Sequence, residues 1–308
     1  MLALLLSSFL TFVELNCENL FDTRHDSLKQ DTEFLPEAVR HWTVKRYWRK
    51  LNNIGQELLS TCDDGVPDLV ALCEVENDTV LNDLCHRSLL RNAGYEYVMT
   101  QSPDLRGIDV ALLYQPYSFA LDTAFSLRVT PVEDMRPTRD ILYASGRIIS
   151  GDTLHIYVVH APSRYGGEHY SRPFRQAVVN RLCQSLDSLR AQSPQARVLV
   201  AGDFNDDADS PALQKLENHG VKNLTREACG ENGARGTYRY QGEWGSIDHV
   251  FGSSTVVSLV DSVFIHAPCF LLEKEPLYGG FRPRRTYNGV RYQPGYSDHL
   301  PLVVRLQQ

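Results

Sequence analysis

Short runs of apolar residues that end on polar clusters recur along the chain, and each predicts a strand with chemistry at its end. The clearest run covers residues 198–201 and is followed by Gly202, Asp203 and Asn205. Side chains two positions apart in an extended segment point the same way, so Asp203 and Asn205 are predicted to face one site. The rim of a sheet is where α/β proteins place catalytic groups. A turn rich in aspartate and asparagine would give a similar pattern.

Six further apolar runs have polar residues at one end. A carboxylate that ends a buried strand is costly unless it is paired or liganded, which favours a functional role for Glu74. Asp109 begins its strand, so a structural role at a strand edge competes with a catalytic one. A lone histidine such as His160 is more often structural, but Arg164 follows four residues later and is a good phosphate partner. The remaining polar residues at strand ends are Asn16, Glu18, Arg106, Asp248, Asp298 and His299.

Helices are predicted where apolar residues recur at a spacing of three or four. This spacing occurs in residues 36–60 and 172–190. Ser210 followed by Pro211 is typical of a helix start, with serine as the N-cap and proline at the first helical position. Residues 256–264 are predicted to be a strand, and the Gly-rich residues 227–245 are predicted to be a loop.

The composition is that of a globular protein and narrows the functional classes. The 308 residues are 43% hydrophobic, and because the polar clusters span the chain we predict one large domain over residues 11–308. The net charge of −7, without a long basic run, argues against strong sequence-independent attraction to nucleic acid. The seven cysteines show no metal-binding or paired spacing, so we expect buried free thiols.

Residues 1–10 form an apolar stretch with three interpretations. They resemble the apolar region of an export signal, but no Lys or Arg precedes them and no small-residue cleavage site follows. The alternatives are a signal remnant behind a mis-assigned start and a plain first strand. The stretch is shorter than the ~20 residues that a membrane-spanning helix needs. We expect an exported protein, periplasmic or secreted, with a cytoplasmic location as the alternative, and no stable membrane insertion.

The order of these clusters resembles the endonuclease/exonuclease/phosphatase superfamily, which includes pancreatic-type deoxyribonucleases and exonuclease III-like enzymes. The resemblance runs from Asn16 to His299 and rests on several short blocks rather than on one. It is nearest to bacterial members of unassigned substrate, and it implies an α/β fold: a four-layer sandwich of two packed mixed β-sheets flanked by helices. The blocks are Glu-Asn-Leu-Phe-Asp at residues 18–22, Arg-Gly-Ile-Asp-Val-Ala at 106–111, Gly-Asp-Phe-Asn at 202–205 and Ser-Asp-His at 297–299.

The resemblance also implies site roles. Glu74 looks like the principal ligand of Mg²⁺ or Mn²⁺, with Asn16 and Asp298 supporting the metal or its waters. The remaining residues have catalytic or phosphate-binding roles in this resemblance. Asp203 and Asn205 resemble the pair that orients the attacking water. Asp248 resembles the group that orients His299, and Asp109 resembles the partner of His160. Glu18 falls near a second metal position of some relatives, and Arg106 and Arg164 are candidate phosphate ligands.

These roles predict a divalent-metal-dependent hydrolase that cleaves phosphodiesters, as a nuclease or phospholipase does. The alternative is a phosphomonoesterase that acts on a small metabolite such as an inositol or sugar phosphate, and a non-catalytic binding module ranks last. A hard cation with few protein ligands suits phosphoryl transfer, which depends on positioning and charge neutralisation. We expect a phosphate-ester substrate, with nucleic acid as one possibility, and a monomer. Arg282, Arg284 and Arg285 are either part of a phosphate groove or a solvated loop.

Overall fold

The computed structural model describes residues 9–308. The predicted signal segment therefore lies outside the described residues, apart from Phe9 and Leu10, which begin the first strand. No helix within residues 9–308 is long and apolar enough to cross a membrane. The strands are β1 (Phe9–Leu20), β2 (Leu69–Val75), β3 (Glu96–Met99), β4 (Asp109–Tyr114), β5 (Phe119–Leu127), β6 (Ile141–Ile148), β7 (Thr153–His160), β8 (Arg197–Asp203), β9 (Val221–Asn223), β10 (Tyr238–Tyr240), β11 (Glu243–Gly245), β12 (Asp248–Ser253), β13 (Val260–Ile265), β14 (Leu272–Lys274), β15 (Phe281–Pro283), β16 (Tyr287–Asn288), β17 (Arg291–Tyr292) and β18 (Leu302–Gln307).

Five α-helices are found among the described residues, and three of them lie where the sequence predicts helices. Ser210 caps α4 by accepting a hydrogen bond from the Leu213 backbone N–H, as predicted. The helix expected over residues 36–60 begins only at Val44, after His41 adopts a left-handed backbone. The helices are α1 (Val44–Leu59), α2 (Asp78–His86), α3 (Glu168–Gln192), α4 (Pro211–Asn218) and α5 (Ser254–Val257).

Two six-stranded mixed sheets form the middle of the molecule. One has the order β13-β18-β1-β2-β4-β3, and the other has the order β5-β6-β7-β8-β12-β9. Within them β1 and β2 are parallel, as are β7 and β8, while the other neighbours run antiparallel. The predicted four-layer α/β sandwich is therefore confirmed.

Both faces of each sheet are covered, which explains why the central strands are apolar almost throughout. In β1, Phe12 faces the core between the sheets, whereas Val13 faces α1 and α2. In β8, Leu199 faces the same inter-sheet core, whereas Val200 faces α3 and α4. Polar residues in these strands are therefore confined to the ends that reach the edge of the sandwich, with the buried Glu14 as an exception.

Two sequence predictions about local structure are wrong. Residues 256–264 are not one strand, because α5 occupies their start and β13 their end. Residues 227–245 are not one loop, since β10 and β11 form a hairpin there. Gln241 and Gly242 both have positive φ at the hairpin turn, the geometry that matches the twist of two short strands.

Gly202 is predicted to be essential for the close approach of β7 and β8. Its φ is +142°, and an added Cβ would lie 1.8 Å from the carbonyl oxygen of Val159. We expect Gly202→Ala to lower the free energy of unfolding by roughly 3 kcal/mol or more, because strain and overpacking add. Urea denaturation measures the change. The matched control is Gly151→Ala, which has φ +88° with open space around it and should cost about 1–2 kcal/mol. Equal losses in the two variants would contradict the prediction.

Candidate active site

Three polar side chains meet because their strands are neighbours in the second sheet. His160 ends β7, Asp203 ends the parallel strand β8, and the two are register partners. Asp248 begins the antiparallel strand β12 opposite Asp203. The β1 residue Asn16 joins them from the other sheet, donating its side-chain amide to Asp203 Oδ2 over 3.0 Å. The site therefore spans the carboxyl-terminal edge of β8 and the gap between the two sheets.

His299 and Asp248 form a buried charged pair at the centre of the site. His299 Nδ1 lies 2.8 Å from Asp248 Oδ2, and the Thr237 hydroxyl donates to the same oxygen. Burial alone would lower the pKa of His299. The Asp248 carboxylate, helped by Asp298 and Asp203, outweighs that effect and holds the pKa well above its usual value. His299 is therefore an imidazolium at neutral pH, oriented by Asp248.

Asp203 and Asn205 both line the cavity, although Asn205 does not continue the extended strand on which their predicted common direction depended. Asp203 Oδ1 accepts the backbone N–H of Asn205 over 2.8 Å, and Asn205 has a left-handed backbone with φ +51°. The Asn205 side-chain amide donates to the carbonyl of Ala161 over 3.1 Å. Burial and the nearby Asp248 carboxylate raise the pKa of Asp203 to about 7, while His299 opposes the shift. This carboxylate is therefore poised to accept a proton near neutral pH.

Three oxygen donors on the wall of the same cavity fit a hard divalent cation. Glu74, Asn16 and Asp298 all line it. The oxygens of Glu74 are 3.5 Å from Arg106, and Asp298 is 3.4 Å from Arg285. These ion pairs are longer than the ~2.7–2.9 Å of a charge-assisted hydrogen bond, so both carboxylates keep the capacity to bind a metal. Carboxylate and amide oxygens are what Mg²⁺ and Mn²⁺ prefer.

The backbone around Glu74 explains how a strand residue reaches this wall. Glu74 has φ +63°, and the pairing of β2 with β4 shifts register between Cys73 and Val75. Such a bulge re-aims one side chain out of the regular alternation. Glu74 Oε2 also accepts the backbone N–H of Asn19 over 2.7 Å, which fixes the carboxylate in place.

Within residues 9–308, one group of acidic and histidine side chains has metal-ligand spacing. Ligand atoms of Asp203, Asp248 and His299 lie within 4.8 Å of one another, and all three residues are buried. However, Asp248 Oδ2 already accepts from His299 and Thr237, and Asp203 accepts from Asn16 and Asn205. These internal hydrogen bonds suit an acid–base group, but Asp248 Oδ1 is buried without a partner among residues 9–308, so the group also keeps an oxygen that can bind a metal.

The predicted pairing of Asp109 with His160 is wrong. The Asp109 carboxylate accepts hydrogen bonds from Thr100 Oγ1 at 2.5 Å and from the Ser102 backbone at 3.1 Å. Asp109 is the first residue of β4, and its carboxylate accepts hydrogen bonds from the segment that follows β3. This is the structural role at a strand edge that its position also allowed.

His160 lies beside Asp203 instead. Its Nε2 is 3.6 Å from Asp203 Oδ2, and its Nδ1 has no hydrogen-bond partner among residues 9–308. Burial, followed by the charges of Arg139 and Arg106, holds the pKa of His160 well below its usual value. The two histidines therefore differ: His160 is neutral where His299 is charged.

The two candidate phosphate ligands line the cavity but already have partners. Arg106 donates to Asn19 Oδ1 beside Glu74. Arg164 donates to the Asn205 carbonyl over 2.9 Å and to Asp207 over 2.8 Å. Glu18, placed near a possible second metal, accepts the backbone N–H of Thr286 over 2.6 Å and lies 3.5 Å from Lys50 Nζ, so it also anchors the segment that leads to β16.

Sequence reasoning missed several residues of the cavity, among them Arg139 and Tyr238. Arg139 donates to the carbonyls of Ala161 and His160, from an irregular segment with no motif. The Tyr238 ring packs on His299 with ring centroids 5.0 Å apart. Tyr238 stands in a Gly-rich stretch, and the aromatic residues there were the only signal. Arg282, by contrast, pairs with Glu273 and Glu275 rather than facing an open groove.

The comparisons with known proteins agree with this architecture. Residues 11–308 match the Endonuclease/Exonuclease/phosphatase family. A family member from Bacteroides thetaiotaomicron has a TM-score of 0.65 at 16% identity, with 97% of each chain covered. The mannosyl-6-phosphatase of the same organism has a TM-score of 0.64 at 16% identity, covering 96% of this chain and 98% of that one. The catalytic domain of human Nocturnin has a TM-score of 0.58 at 19% identity, covering 97% and 94%.

No curated protein matches the sequence. At these identities the solved structures show the fold, while the family match covers nearly the whole chain. Together they place the chain among phosphoesterases without naming its substrate. The chain belongs to the endonuclease/exonuclease/phosphatase family.

Proposed function

We propose that the protein is a divalent-metal-dependent phosphodiesterase in which water attacks phosphorus. The observation that carries the proposal is the shared cavity. Asp203 and the His299–Asp248 pair lie on its wall or directly behind it, and the metal-competent oxygens of Glu74 and Asp298 line it too. Phosphoryl transfer needs such positioning and charge neutralisation more than covalent help.

The protein groups supply two complementary functions. The Asp203 carboxylate accepts the proton of the attacking water, and Asn16 and the Asn205 backbone hold that carboxylate in place. The His299 imidazolium donates a hydrogen bond to a phosphoryl oxygen as charge builds there, with Asp248 fixing its orientation. A Mg²⁺ or Mn²⁺ held by Glu74, Asp298 and Asn16 would neutralise phosphate charge as a Lewis acid.

The charge of the cavity favours a diester over a monoester. Its lining includes five carboxylates, those of Glu74, Asp203, Asp207, Glu243 and Asp298. It also includes three guanidinium groups, and each is in an ion pair with a carboxylate. A diester brings one negative charge, whereas a monoester dianion brings two and would need cations that are free.

A monoesterase is the second candidate. The mannosyl-6-phosphatase of B. thetaiotaomicron shares the fold over nearly its whole length, which shows that this architecture serves a sugar monophosphate in one relative. The cavity, at ≈ 810 Å³, has room for either kind of substrate. A non-catalytic binding module is the weakest hypothesis, because the predicted acid–base and metal residues, apart from Asp109, lie in or directly behind one cavity.

Side-by-side hydrolysis of bis-p-nitrophenyl phosphate and p-nitrophenyl phosphate tests the proposal. With Mg²⁺ or Mn²⁺ we expect the diester to show the higher kcat/KM, by roughly 10-fold or more, and EDTA to abolish the reaction. Activity on the monoester alone would replace the proposal by the monoesterase. Hydrolysis that survives EDTA, or none on either ester with metal present, would contradict metal-dependent diester cleavage.

A further inference from the structure

The β10–β11 hairpin forms one wall of the cavity, and this wall is aromatic. Tyr238 and Tyr240 line the cavity and lie two residues apart in β10, so their side chains share a face of the hairpin. Tyr238 packs on the His299 ring. Tyr240 therefore lies about 7 Å further along the strand from the reacting centre. Its side chain is 64% exposed.

Arg239 and Trp244 anchor the hairpin to the body of the protein, and Trp244 lines the cavity as well. Arg239 and Trp244 are register partners, and the guanidinium lies over the indole ring at 5.7 Å. Arg239 also donates to the carbonyls of Gly242 and Gly279 over 2.9 Å. Trp244 packs against the core between the sheets. The hairpin backbone is thus fixed in place, and its tyrosine face lines the cavity.

The chain that carries His299 is hydrogen-bonded directly to this hairpin. The Leu300 N–H donates to the Thr237 carbonyl over 2.8 Å, and Tyr238 forms an isolated bridge with His299. The aromatic face is therefore fixed relative to the scissile phosphate. A molecule as long as a nucleotide can place its phosphate beside His299 and its ring against Tyr240 at the same time.

The cations beside the cavity argue against a long polyanion. A protein that follows a nucleic-acid strand neutralises several phosphates with lysine and arginine side chains. Here Arg106, Arg139 and Arg164 are all paired with carboxylates, and no lysine is among the lining residues. Further out, Arg282 is paired with Glu273 and Glu275. The cavity lining therefore offers aromatic area next to one phosphate, and all three of its arginines are paired with carboxylates.

We propose that Tyr240, with Tyr238, forms a stacking subsite for a planar ring, and that the substrate is a low-molecular-weight nucleotide diester. The inference rests on the proposed function and names the substrate class of that same site. Every base has a π face, so a tyrosine platform holds the ring without reading its hydrogen-bonding edge. Tyr240 determines specificity and leaves the acid–base chemistry to Asp203 and His299.

The test compares two diesters that differ only in the base. The methyl ester of thymidine monophosphate and the methyl ester of deoxyribose monophosphate are used as inhibitors of bis-p-nitrophenyl phosphate hydrolysis with Mg²⁺. We expect the inhibition constant of the thymidine compound to be roughly 10-fold lower or better, within the range that base–aromatic stacking gives. Tyr240→Ala should bring the two constants close together, and Tyr240→Phe should keep the difference.

The matched control is Tyr117→Ala, because Tyr117 is 95% exposed and does not line the cavity. Equal inhibition constants in the parent would overturn the stacking subsite, as would a difference that Tyr240→Ala leaves intact. Failure of the proposed function has a separate signature, since the parent would then not hydrolyse the reporter with metal present. In that case calorimetric titration of the same two esters with Mg²⁺ still decides whether the base is recognised.

Discussion

Replacing His299 by alanine is expected to lower kcat for diester hydrolysis by ~10²–10⁴-fold at saturating Mg²⁺. The imidazolium is held by the buried Asp248 carboxylate at 2.8 Å, and alanine removes its N–H donors from the cavity wall. The loss should fall on kcat more than on KM, because the charge that His299 stabilises is largest in the transition state. Steady-state kinetics with bis-p-nitrophenyl phosphate measures the change.

The pH dependence adds a second readout of the same residue. The pKa of His299 is raised, so the charged form persists through neutral pH and is lost only as the solution becomes alkaline. The kcat/KM of the parent should therefore decline at alkaline pH, and this decline should be missing from the variant. His86→Ala is the control, since His86 is exposed on α2. A His299→Ala enzyme within a few-fold of the parent would remove this histidine from the mechanism.

Replacing Glu74 by glutamine is expected to weaken metal binding by ~10–100-fold or more. That range applies to residues that only support a metal ligand, and Glu74 is proposed to be a ligand itself. The amide keeps the shape of the carboxylate and can still accept from the Asn19 backbone, so the fold should be retained. It loses the negative charge that a divalent cation needs at this wall. Mn²⁺ titration followed by electron paramagnetic resonance measures the affinity, and the Mg²⁺ dependence of the rate should shift in parallel.

A second carboxylate of the cavity serves as the control for Glu74. Glu243 lines the cavity from the hairpin, and Glu243→Gln removes the same charge without removing a proposed ligand. Its metal affinity should change by no more than a few-fold. If Glu74→Gln binds Mn²⁺ like the parent while Asp203→Asn does not, the metal belongs to the group of Asp203, Asp248 and His299 instead.

Much of the fold could be predicted because local rules and packing agree. The run of residues 198–201 forms most of β8, and Asp203 closes the strand as expected. The Ser210–Pro211 start of α4 also has its predicted cap. Boundaries failed where local signals competed with packing. Val256 and Val257 are β-branched and favour a strand, but they end α5, where Val256 is buried in the core between the sheets.

The pairing of side chains across the site was harder to predict. Asp248 and His299 are 51 positions apart and meet, whereas Asp109 and His160 are equally distant in sequence and do not. Sequence order gave no way to separate the two cases. The difference arises because β12 and the segment before β18 both reach the cavity, while the Asp109 carboxylate is taken up by Thr100 and Ser102 beside its own strand.

By itself the sequence determined which residues stand at strand ends, because the alternation of apolar and polar positions is a local property. It also determined the oxygen-rich chemistry of the site, in Glu74, Asp203 and Asp298. Only the tertiary structure decided which of these groups touch, which histidine is charged and which is neutral, and that Tyr240 faces the cavity. Those outcomes depend on burial, on a left-handed backbone at Glu74 and on hydrogen bonds between distant strands, and such long-range contacts leave no pattern in the local sequence.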